Sequence, residues 1–135
     1  MAHRFLEHTA DVQVECRAGA FEDLLREASG AFYEITLEHT SDDTSAARDI
    51  DILGASQEEL MVRWLHEILF LLETERFVAT RYVFDESDEG RVKALLEGYI
   101  CSPEERAQEV KGIAYHGLRI QEEPDGVSAS VIFDL

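Results

Sequence analysis

The stretch His8-Thr9-Ala10-Asp11 sets a histidine, a hydroxyl and a carboxylate at the mouth of a run, Val12-Gln13-Val14-Glu15-Cys16, in which apolar and polar residues alternate as in a half-buried strand. The far end, Val131-Ile132-Phe133-Asp134-Leu135, is an apolar run that closes on an aspartate and the carboxylate of Leu135. A strand of that character anchors in a sheet and would hold both negative groups in place. Were it to lie beside the strand entered through Asp11, three carboxylates would converge. Like charges gathered so closely are relieved by a hard divalent cation with oxygen ligands, Ca²⁺, Mg²⁺ or Mn²⁺, and Thr9 and backbone carbonyls could complete its shell. Two plainer readings stand beside this one: Asp11 can simply cap a turn, and a chain end can be solvated.

A second cluster is Glu109-Val110-Lys111-Gly112-Ile113-Ala114-Tyr115-His116-Gly117-Leu118. His116 stands where one strand pattern yields to the next, a place for an acid, a base or a ligand, although a turn histidine more often bonds backbone. Lys111 alternates with apolar neighbours and projects to one side of a strand, where its plain role is to discourage edge-to-edge aggregation. A metal-dependent hydrolase would use the three carboxylates with His116 as base. Against it, the sequence has no G-x-S-x-G, P-loop, G-x-G-x-x-G, H-E-x-x-H or paired C-x-x-C. His3, His39 and His66 have no partners at zinc-ligand spacing. Cys16 and Cys101 fall on strand patterns and read as small buried hydrophobes. No catalytic residue is assigned, and the chain is not expected to be an enzyme by itself.

The elements that must position these groups follow from periodicity. Strands are expected at Arg4–Leu6 and Val12–Ala18. Phe21, Leu24, Leu25, Ala28, Ala31 and Phe32 recur at helical spacing and predict a helix from about Ala20 to Glu34. Glu38–Arg48 reads as a loop and Asp49–Ile52 as a strand. Ser56-Gln57-Glu58-Glu59 is a capping box that opens a second helix, whose Leu60, Trp64, Leu65, Ile68, Leu69 and Leu72 make it the central core element. Val78–Phe84, Val92–Ile100, Val110–Ala114, Leu118–Gln121 and Val127–Phe133 are expected strands, with Val92–Glu97 also compatible with a helical turn. Pro124-Asp125-Gly126 joins the last two strands as a hairpin. The order predicts one α+β domain over residues 1–135, with two main helices packed on a mixed, largely antiparallel sheet.

Composition narrows the function classes. The 135 residues carry 29 acidic and 12 basic side chains, a formal net charge of −17. Such a surface repels phosphate backbones, so direct binding of nucleic acid is not expected. It suits a basic protein partner, a divalent cation or plain solubility. No apolar run approaches the roughly 18 residues of a membrane span, and no N-terminal run resembles a signal peptide, so a cytoplasmic protein is expected.

Taken together, FLEHTADVQV, EELMVRWLHEILFLLETE, EVKGIAYHGL and the terminal VIFDL resemble, in this order and spacing, the archease family. The resemblance implies a compact α+β domain that is a partner of the GTP-dependent tRNA-splicing RNA ligase. Such a partner promotes transfer of GMP to the ligase's active-site histidine and supports repeated turnover in tRNA splicing and RNA repair. It further implies a divalent cation held by Asp11, Asp134 and Leu135, with Lys111 in the same functional tip; His8, Thr9 and His116 are further site candidates read from the residues themselves. A chaperone-like modulator of an RNA-modifying enzyme, such as a tRNA cytosine methyltransferase, is the alternative role. Gly112 departs from the alanine common at that position, and Glu38–Arg48 is the least typical stretch.

Overall fold

Two strands, a helix, a strand and a second helix are followed by four strands in a computed structural model that describes residues 1–6, 11–85 and 89–135. The elements are β1 (Ala2–Leu6), β2 (Asp11–Ala18), α1 (Phe21–Thr36), β3 (Ala46–Leu53), α2 (Gln57–Glu75), β4 (Phe77–Phe84), β5 (Arg91–Ile100), β6 (Gly112–Glu123) and β7 (Gly126–Asp134). The expected α+β architecture holds, with one refinement. The strands form two sheets, β1-β2-β7-β6 and β3-β5-β4, and every described pairing is antiparallel, so the expected mixed character is not seen. β7, last in sequence, lies between β2 and β6 at the centre of the larger sheet.

The helices form because each carries an apolar stripe that the sheets can cover. In α1, Leu24, Leu25, Ala28, Ala31 and Phe32 are fully buried, and in α2 so are Met61, Trp64, Leu65, Ile68 and Leu72. Burying each large side chain contributes about 1.5–3 kcal/mol. α1 packs on β1, β2 and β7, whereas α2 touches β6 and all three strands of the smaller sheet, which makes it the shared wall of both layers. Half of the expected capping box is present: the Ser56 hydroxyl accepts from the Glu59 amide at 3.1 Å, while the Glu59 carboxylate accepts from Arg63 Nε at 3.0 Å. α2 stops at Arg76, which adopts a left-handed conformation (φ 55°) and donates its N–H back into the last turn.

Three boundaries differ from the sequence reading. β3 begins at Ala46, inside the expected loop, because Ala46, Ala47 and Arg48 pair with Gly98, Glu97 and Leu96 of β5. Val92–Glu97 is strand, drawn into a ladder between β3 and β4 that a local propensity cannot outweigh. Gly98 permits this packing, since a Cβ there would lie 1.8 Å from the Val78 carbonyl oxygen. The two strands expected at Val110–Ala114 and Leu118–Gln121 are one long strand, β6, interrupted by a bulge.

Candidate functional site

β2 and β7 run antiparallel with Val12 opposite Phe133, Val14 opposite Val131 and Cys16 opposite Ala129. These pairs face the helices. By alternation, Asp11, Gln13, Glu15 and Arg17, with their opposite numbers Asp134, Ile132, Ser130 and Ser128, look outward. Asp11 stands directly opposite Asp134, and Gly112 of β6 lies opposite Asp134 on its other side. The two aspartates therefore share one face at one end of the sheet, in a row with Gly112.

The surroundings hold this row in place. The Lys111 amide donates to the Asp134 carbonyl at 2.7 Å, so the lysine enters β6 beside the second aspartate, with its side chain exposed. Leu135 is half-buried and packs on the core. Asp11 is half-buried, with Oδ1 screened from solvent, while Asp134 is exposed. A Cβ at Gly112 would lie 3.9 Å from Asp134 Oδ2, an ordinary contact, so glycine and alanine both fit and the departure at this position leaves the row intact. His8 and Thr9 lie outside the described residues.

Next along β6 comes the bulge. Ala114 pairs with Ile132 and Arg119 with Ser130, so residues 115–118 stand against the single Val131. Gly117 adopts φ 79°, a left-handed turn that a side chain would strain, and sits over Ile132. Tyr115 and His116 are both exposed on this bulge.

Side chains directly opposite in an antiparallel pair have Cβ atoms roughly 5 Å apart, close enough for both carboxylates to reach one oxygen-ligated cation. Among the described residues no group of three or more His, Cys, Asp or Glu side chains is gathered closely enough to hold a metal ion. The cysteines offer no nucleophile: both are buried, and burial, with Glu27 nearby, pushes the Cys16 thiol up to about 12. A cavity of about 340 Å³ lined by Phe21, Leu60, Phe84 and Val92 lies at the opposite end of the molecule, by the residues that follow β2. No helix among the described residues is long and apolar enough to cross a membrane.

The chain resembles known proteins along nearly its whole length. The model of the archease protein family (MTH1598/TM1083) matches residues 3–135. An archease of Archaeoglobus fulgidus is 29% identical over 137 residues, covering 100% of both chains. One from Pyrobaculum islandicum is 30% identical over 91% of this chain and 88% of the relative. Among solved structures, protein 1598 of Methanobacterium thermoautotrophicum superposes with a TM-score of 0.80 at 26% identity, covering 98% of each chain. The crystal structure of an archease, possible chaperone, from Thermotoga maritima superposes with a TM-score of 0.67 at 20% identity over 96% of this chain and 94% of that one, and shares the fold. With two helices on antiparallel sheets and a family match over nearly every residue, the chain belongs to the archease family.

Proposed function

We propose that this chain is a non-catalytic protein cofactor of the GTP-dependent tRNA-splicing RNA ligase, acting in the cytoplasm to promote the ligase's guanylylation and multiple turnover. The opposition of Asp11 and Asp134 carries this reading. Like charges placed directly across a ladder destabilise it, so such a pair serves better as a binding feature than as a structural one. Asp11, Asp134 and Leu135 would hold a divalent cation, Ca²⁺, Mg²⁺ or Mn²⁺. When bound, that ion supplies charge stabilisation for a phosphoryl group in the partner's site. The chain's own residues do the rest: the β2–β7 ladder fixes the two carboxylates, and Lys111 presents its ammonium beside them to a phosphate or an acidic group of the partner.

The test is guanylylation of the ligase by GTP with the wild-type chain, Asp11→Ala or Asp134→Ala. We expect each variant to lose at least tenfold of the stimulation, about 1.4 kcal/mol of coupling. Undiminished stimulation by either would overturn the proposal. The alternative, a chaperone-like modulator of a tRNA cytosine methyltransferase, predicts activity that survives loss of the aspartates. A hydrolase using His116 as base has less support, since that residue is exposed on the bulge rather than enclosed in a cleft.

A further inference from the structure

β1 has a single ladder to hold it. It is five residues long, lies at the edge of the larger sheet and pairs with β2 alone, with His3 opposite Cys16 and Phe5 opposite Val14. A strand with so few backbone bonds opens easily unless side chains fasten it. Two charged contacts do so, one on each face. On the outward face Arg4 donates to Glu15 at 2.8 Å, but the Arg4 side chain is 68% exposed, and a pair so solvated contributes little. On the inward face His3 reaches α1, where Glu27 and Glu34 stand about two helical turns apart on one side of the helix. Nδ1 of the ring meets Glu27 and Nε2 meets Glu34 at 2.9 Å. Here the His3 and Glu27 side chains are 16% and 12% exposed, so this contact is the one largely shielded from water. Phe5 lies edge-on to the imidazole, with ring centroids 5.4 Å apart.

Both ring nitrogens thus face carboxylate oxygens, and an ionised carboxylate only accepts. Both nitrogens must donate, which the imidazolium alone can do. A neutral ring has one N–H and sets a lone pair against the other carboxylate. We propose that β1 is a pH-gated strap: the imidazolium of His3 fastens it to α1, and loss of that proton frees it from β2, leaving the strand that carries Asp11 as the edge of the sheet. The titratable groups facing the ring are Glu27 and Glu34 of α1 and Cys16 of β2. Burial, with Glu27 nearby, pushes the Cys16 thiol up to about 12, so it keeps its proton while the ring titrates. Burial opposes the charge on His3, Glu34 and Glu27 favour it, and the balance lies above the ordinary 6.5. The strap is therefore fastened below 6.5 and opens as pH rises through the folded value. It is a property of this chain alone and does not depend on the ligase.

The experiment follows amide hydrogen exchange of the full chain from about pH 6 to about pH 9, corrected for the base-catalysed chemical rate, with the His3 ring titrated by NMR in the same samples. In the wild type the β1 amides should open roughly tenfold or more often at the upper pH, the loss of one hydrogen bond between charged groups. The midpoint should coincide with the titration of the ring, while the amides of β7 and α2 keep their protection. Glu34→Gln, at an exposed position on α1, should move that midpoint to lower pH by removing one of the two carboxylates. His3→Gln should leave β1 equally open at every pH. A β1 response that is flat across the range would overturn the strap. So would one shared by β7 and α2, which would make the opening global, or one that persists unchanged in His3→Gln, which would assign it to another group.

Discussion

Trp64 Nε1 donates to Ser29 Oγ at 2.8 Å, and both residues are fully buried where α2 crosses α1. The hydroxyl in turn donates to the Leu25 carbonyl at 2.8 Å, so the indole N–H and the serine satisfy one another inside the core. Ser29→Ala removes the only acceptor described for that indole. A buried donor left without a partner costs about 1–3 kcal/mol. The urea midpoint should fall by that amount of stability, with the Trp64 fluorescence still reporting a folded state at zero denaturant.

His3 links the edge strand to the first helix. Its Nδ1 meets Glu27 and its Nε2 meets Glu34 at 2.9 Å. Burial opposes the charged ring, but the carboxylates of Glu34 and Glu27 outweigh it and the pKa is raised above its ordinary 6.5. A raised folded pKa means that the stabilisation is fully present below the unfolded value of 6.5 and is lost as pH rises through the folded value. The difference in urea midpoint between wild type and His3→Gln should therefore be largest near pH 6 and shrink toward pH 9. A difference that grows with pH would contradict the imidazolium bridge.

Asp134 should cost stability in the absence of a cation. Removing one of two like charges across a ladder recovers about 0.2–1 kcal/mol, so in a chelator Asp134→Asn should melt slightly above wild type. Adding millimolar Mn²⁺ or Ca²⁺ should reverse the order, because a ligand bound only by the native state raises stability by mass action. A wild-type melting temperature indifferent to these ions would remove the metal from the proposed function.

Much of this was legible in the residues themselves. The stripe through Leu24, Ala28 and Phe32, the Ser56 cap, the alternation of Val12 to Cys16 and the Pro-Asp-Gly hairpin are local patterns, spaced by the periods of helix and strand, and each appears where its spacing puts it. The aspartates at Asp11 and Asp134 were legible as candidates for the same reason. Tertiary structure alone decided that they are neighbours. A period of two says which face a residue takes but not which strand lies beside it, and β7 reaches the centre of its sheet through burial of Val131 and Phe133 against helices distant in sequence. The split into two sheets, the Tyr115 bulge and the His3 bridge to Glu27 and Glu34 are likewise products of packing between segments far apart in the chain, for which no local spacing exists.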